Sequence, residues 1–367
     1  MLLQFQDYPA YLQEIVFKDD ATAYELLTIA LTFSVLWAFV FAAARPLLRS
    51  ISYGRPWLRA ACEREYEHGG KDVYDAMKMT KEEAIEMMMK DWVTMQVINI
   101  QHFTGAILCI PSLLGLGDPS WASSLAACGV LSEIGWEIED VAEAIYLRFF
   151  TEQGLPFIVI AIRTFHHSLT SILGLPMVLY YRGLKLLHWL CFDLQIVALV
   201  SVLVEYSKIL DISKPNELRQ FKVVNFLVLV LVVWTRFLHW IYLCVQIELT
   251  WYHDKTWSFI AVGAVSLTAF SYFNAMLIVI PLYKRFKKFL NVSAKYESLP
   301  PDAPEAKRRQ STMKLEKSVR KLLLEETIDI EGRIILFLKS FDLRGKVDRR
   351  QTMPPRRRMT WGSTRLI

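Results

Sequence analysis

Along the chain, apolar positions gather into seven long runs, and charged positions gather between them. The runs cover Tyr24 to Ala44, Val93 to Gly115, Trp121 to Tyr146, Leu155 to Tyr181, Leu186 to Ser207, Val223 to Ile247 and Trp257 to Tyr283. A helix rises about 1.5 Å per residue, so roughly 20 mostly apolar residues cross a hydrocarbon core about 30 Å thick, and every run is long enough. The pattern predicts an all-α fold, a multi-pass membrane helix bundle of about seven transmembrane helices. The third run is the least apolar, because its second half carries Glu133, Glu137, Glu139 and Asp140. The chain then divides into an N-terminal segment 1–23, a first span 24–44, a charged loop 45–90, a six-helix membrane unit 91–283 and a tail 284–367.

Charge sets the expected orientation. The stretch Arg45 to Asp91 holds nine Lys and Arg, Lys208 to Lys222 holds four, and the tail after Tyr283 holds twenty-two. The opposite side offers only Lys18, Arg182, Lys185 and Lys255. The positive-inside tendency therefore predicts a lumenal N-terminus and a cytosolic C-terminus, which an odd number of spans satisfies. On that topology the sequon Asn291, Val292, Ser293 is cytosolic and carries no glycan. Asp7, Glu14, Asp19 and Asp20 replace the basic start of a signal peptide, so the first run is expected to remain in the protein. The five cysteines, Cys62, Cys109, Cys128, Cys191 and Cys244, are scattered singly and imply neither a disulfide framework nor a zinc site.

The charged loop balances nine acidic against nine basic residues, which predicts solvated helices and no nucleic-acid partner. Thr80 followed by Lys81, Glu82 and Glu83 has the spacing of a capping box opening a helix into the second span. The tail is different, with 22 basic and 10 acidic residues. Within it, Leu315, Val319, Leu322, Leu323, Ile330, Ile334, Leu338 and Phe341 recur at helical spacing between Lys and Arg. That pattern suits an anionic leaflet or a cytosolic protein partner. Ser311, Thr352 and Thr360 each follow a pair of arginines, as in substrates of basophilic kinases.

Polar residues inside the runs carry the candidate chemistry, since an isolated one costs several kcal/mol unless it is paired or wet. They are His102 in the second run, Glu133, Glu137 and Asp140 in the third, Arg163, His166 and His167 in the fourth, Asp193 and Glu205 in the fifth, and Arg236 and His239 in the sixth. The i, i+4, i+7 spacing puts Glu133, Glu137 and Asp140 on one helix face. By depth, His102, His166 and Arg236 fall near the midplane, with Asp193 joining the upper part of the layer. His188 and His239 are expected to be hydrogen-bonded packing residues. Adjacent His166 and His167 point about 100° apart and need separate partners, which packing seldom requires. A histidine titrates near neutrality, so the pair suits general acid/base work with a carboxylate such as Asp193 orienting a ring. The i, i+1 spacing is poor for a shared metal, and no metal site is expected.

These residues also carry a resemblance. Trp92 and His102 in VTMQVINIQHFTG, Gly135 to Asp140 (GWEIED), the HHxxTxxL pattern of His166, His167, Thr170 and Leu173, Glu205 to Lys208, and Arg236 in NFLVLVLVVWTRFLHW resemble, in order, the motifs of the TLC-domain family. That family includes ceramide synthases, and the likeness spans about Asp91 to Tyr283. It implies a bundle with a central lipid cavity in an endomembrane such as the endoplasmic reticulum. It also implies acyl transfer, with His166, His167 and Asp193 as catalytic residues and His102, Glu137, Asp140, Thr170 and Arg236 as binding residues. No bound cofactor is implied, though acyl-CoA would serve as co-substrate. The implied partner is a membrane lipid, with a homodimer as a further expectation. One departure is clear. Where ceramide synthases carry His-Asp-x-x-Asp, this chain has Val197, Ala198 and Ser201, and His188 with Asp193 is only a shifted substitute. A non-catalytic lipid-binding, sensing or trafficking protein is the alternative.

Overall fold

The computed structural model describes residues 21–67, 74, 79–150, 157–211, 214–284, 286, 287 and 290. The N-terminal acidic residues, the sequon and the basic tail with its amphipathic and kinase-like patterns lie outside them. Among the described residues the chain is helical, without strands. The helices are α1 (Ala23–Ser52), α2 (Pro56–Glu65), α3 (Lys81–Leu114), α4 (Pro119–Phe149), α5 (Phe157–Tyr181), α6 (Lys185–Gln195), α7 (Val197–Ile209), α8 (Pro215–Val233), α9 (His239–His253) and α10 (Trp257–Phe273). A π-helical turn, Trp234–Leu238, joins α8 to α9, and a second, Asn274–Val279, follows α10.

Local chemistry explains where the helices begin and end. Capping boxes open α1 at Thr22 with Glu25 and α3 at Thr80 with Glu83. Asp118 caps α4 by accepting from the N–H groups of Ser120 and Trp121, and Pro119 occupies the first turn, where no backbone donor is needed. At the end of α3, Gly115 adopts φ of 67°, a left-handed conformation that lets Leu116 N–H reach back to the Pro111 carbonyl at 2.8 Å.

Five helical stretches are long and apolar enough to cross a membrane: Ala23–Ser52, Lys81–Leu114, Lys185–Ile209, Asn216–His253 and Trp257–Lys284. Seven are expected from the sequence, and the composition of α4 accounts for part of the difference. The runs Trp121 to Tyr146 and Leu155 to Tyr181 also form helices, α4 and α5, and α4 carries a block of carboxylates that lowers its hydropathy. The fifth run forms the single stretch Lys185–Ile209, which bends at Ile196, between α6 and α7.

Packing accounts for the composition of α4. It contacts α1, α3, α5 and α6, and every residue from Gly129 through Glu137 is buried. A helix sheathed by neighbours on all sides can hold charges that would be expelled from lipid. Close approach needs small residues: a Cβ on Gly135 would lie 2.5 Å from the Ala30 carbonyl oxygen of α1, and one on Gly129 would lie 2.9 Å from the Gly105 carbonyl oxygen of α3. The apolar core runs from Leu26 and Ala30 of α1 through Val130 and Ile134 of α4 to Trp240, Leu243, Leu267 and Phe270. Large apolar side chains such as Leu31, Val35 and Phe39 on α1 and Phe226, Ile241 and Val265 further on remain exposed, as lipid-facing surfaces would be.

Candidate functional site

The three carboxylates expected on one face of α4 do act together, each with a partner on a neighbouring helix. Asp140 accepts from Arg163 Nη1 at 2.8 Å and from His167 Nε2 at 3.0 Å, both on α5. Glu137 Oε1 lies 3.3 Å from His167 Nδ1, in Coulombic contact without hydrogen-bond alignment, and Glu137 Oε2 accepts from Ser171 at 3.4 Å. His167 is thus clamped between two carboxylates. Glu133 accepts from Gln101 at 2.8 Å and sits 3.3 Å from His102 Nδ1. Trp136 stands edge-on to both histidines, with ring centroids 4.8 Å from His102 and 5.4 Å from His167. The indole fixes the two imidazoles on either side of α4.

The adjacent histidines differ sharply. His166 makes ring contacts only, among the described residues: it stacks on Phe273 at 4.9 Å, meets Phe270 edge-on at 5.5 Å and lies 5.3 Å from His167. Its nitrogens are left for another partner. Thr170, one turn further along the same face of α5, lines a cavity of about 40 Å³ together with Glu133, Leu190, Leu194, Trp240 and Phe270. One water needs about 10–15 Å³ on this scale, so the cavity has room for a few waters, and a full acyl chain enters only if the aliphatic walls move.

The expectation that Asp193 orients His166 or His167 needs correction. Asp193 instead accepts from His239 Nδ1 at 2.6 Å, across from α6 to α9, because the azimuth of α6 turns that carboxylate away from α5. His239 itself packs against Trp234 and Trp189. His188 is a packing residue as expected: its Nδ1 accepts from the Ser112 hydroxyl at 2.6 Å and its Nε2–H donates to the Arg182 carbonyl at 2.7 Å. Glu205 pairs within its own helix with Lys208 at 2.7 Å, where Glu65 and Asp91 also act on the ammonium.

Arg236 occupies the π turn Trp234–Leu238 and donates from Nη2 to the Leu194 carbonyl at 3.0 Å, while its Nε is buried without a partner. Glu133 and Asp193 share its field but lie beyond ion-pair distance. Among the described residues, no group of His, Cys, Asp and Glu is arranged to hold a metal ion.

Two uncharged glutamines also belong to the site, and their own sequence setting does not mark them. Gln101 holds Glu133, and Gln195 donates to the Gly129 carbonyl at 3.0 Å while its side chain lies on Gly105, where any Cβ would collide with it. The small residues Gly105 and Gly129 are the available clue. No family model, curated protein or solved structure matches this chain.

Proposed function

We propose that the chain is an integral membrane protein of lipid metabolism with TLC-domain-like organisation, seven membrane helices and a lumenal N-terminus, resident in the endoplasmic reticulum or another endomembrane. In this reading it transfers an acyl group from acyl-CoA to the amine or hydroxyl of a membrane lipid. The division of labour between the two histidines carries the proposal: His167 is immobilised by Asp140 and Glu137, whereas His166 beside it keeps its nitrogens uncommitted. His166 takes the proton of the attacking amine or hydroxyl as it adds to the thioester carbonyl, and returns it to the departing thiolate when the carbon–sulfur bond breaks. His167 acts through position, setting the ring beside it and the charge behind it.

The experiment compares lipid profiles of cells carrying the native chain with cells carrying His166→Ala at matched abundance. Disappearance of a specific acylated lipid supports acyl transfer. The small cavity and the commitment of Asp193 to His239 favour a second reading, a non-catalytic lipid sensor or carrier. An unchanged set of acylated lipids with altered distribution would select it.

A further inference from the structure

A guanidinium has five N–H donors, and the chain answers few of those on Arg236. The residue is 9% exposed, its Nε–H is unpartnered, and no carboxylate lies within 4.0 Å among the described residues. Its two nearest acids are occupied, Glu133 by Gln101 and His102 and Asp193 by His239. A buried cation left in that state is costly unless an anion completes it. Asn274 supplies a second orphan: it is 1% exposed, and its Nδ2 donor has no partner. Arg236 and Asn274 lie on the π-helical turns Trp234–Leu238 and Asn274–Val279, which pack against each other. Such turns interrupt regular helices mostly at functional positions.

Their depth connects them to the cavity. The hydrogen bond from Tyr181 to Thr256 at 3.0 Å places the end of α5 beside the start of α10, so these helices are antiparallel. Arg236 precedes Trp240 by four residues, Asn274 follows Phe270 by four, and His166 precedes Thr170 by four; Trp240, Phe270 and Thr170 all line the cavity. Arg236, Asn274 and His166 therefore form one layer, about 5.4 Å or one turn to the same side of it. Leu173, Met177, Leu187 and Leu190 supply aliphatic wall leading away from the polar layer, while Glu133 and Gln195 also line the cavity, Glu133 held by Gln101 and Gln195 by the Gly129 carbonyl.

We propose that Arg236 and Asn274 form a seat for the anionic head, a carboxylate or a phosphate, of a single-chain lipid whose alkyl part opens and enters the adjoining apolar cavity. The guanidinium fork matches either anion in a bidentate manner. The inference shares with the acyl-transfer reading only the premise that a lipid enters the bundle.

The test uses the purified full-length chain in nanodiscs of neutral lipid with four labelled probes of equal chain length: hexadecanoate, hexadecyl phosphate, hexadecanol and hexadecylamine. At least one anion should bind more tightly than the alcohol and the amine, and Arg236→Gln should weaken that anion about tenfold while leaving hexadecanol unchanged. Asn274→Ala should weaken it several-fold. Preference for the carboxylate alone identifies a fatty acid, and preference for the phosphate alone identifies a phosphate-headed lipid; either supports the seat. Equal affinity for all four probes, or undiminished anion binding by Arg236→Gln, overturns it. Should that variant fail to fold, Arg236→Lys and Asn274→Ala carry the test, and full anion affinity in both overturns the proposal. Acyl transfer without anion binding removes this inference alone, whereas anion binding without acyl transfer removes only the enzymatic reading.

Discussion

Asp140 on α4 and Arg236 on the π turn are both charged groups inside the bundle, yet their surroundings follow opposite rules. Around Asp140 the charges are matched: Arg163 and His167 meet it at 2.8 and 3.0 Å, and His167 reaches on to Glu137. Around Arg236 there is one main-chain oxygen. A satisfied network resists rearrangement, because removing one member exposes the rest to an environment that cannot solvate them. An unsatisfied cation gains from any anion that arrives. The α4–α5 face is therefore built to hold its shape, and the α6–α9 face is built to receive.

The sharpest way to break this contrast is Asp140→Ala, which strands Arg163 and His167. Arg163 is more than a third exposed and regains water, but buried His167 does not, so stability should fall by about 2.5 kcal/mol, read as a reduced midpoint of thermal unfolding in detergent. A midpoint equal to the native one would mean that the network is ornamental. Next in size is Gly105→Ala, at the wedge between the two faces, where the new methyl displaces Gln195 from the Gly129 carbonyl. Overpacking of this kind should cost about 2 kcal/mol. Arg236→Met should act with the opposite sign, because replacing an uncompensated buried charge by an apolar side chain of similar length should raise stability by about 1 kcal/mol. Destabilisation there would show that the guanidinium already has its complement within the chain. Near neutral pH the smallest effect belongs to the α2–α3 cluster, outside both faces, which serves as a baseline. Burial pushes the Cys62 thiol from its ordinary 9.0 up to about 12. The folded state therefore holds that proton more tightly than the unfolded state, and the resulting stability, complete below about pH 9, is lost as pH rises toward about 12. Cys62→Ala should flatten this alkaline slope, and a maleimide should leave Cys62 unlabelled at neutral pH until the chain unfolds.

Spacing along a helix is legible in the order of residues, and it reveals the shared face of Glu133, Glu137 and Asp140 and the capping box at Thr80. Azimuth between helices is not legible there. Nothing in the order of residues tells that α6 turns Asp193 toward His239 and leaves Asp140 to serve His167. The two π turns are hidden for a related reason, since one extra residue per turn leaves composition unchanged and only shifts the phase of the pattern. Seven apolar runs are visible, but whether a run faces lipid depends on its neighbours. α4 is wrapped by four helices and tolerates carboxylates that its hydropathy alone would place outside a membrane. Gln101, Gln195 and Asn274 are inconspicuous because uncharged amides in greasy surroundings announce little until their partners are known.

Trp37 of α1 donates its indole N–H to Ser132 of α4 at 3.0 Å, a bond between residues 95 positions apart, beside the crossing that Gly135 makes possible. During synthesis at roughly 5–20 residues per second, α1 therefore waits on the order of ten seconds before its counterpart emerges. Throughout that interval the indole donor of the first helix is unanswered and its future contact face bare, so a factor that escorts nascent membrane segments has an extended opportunity at this helix.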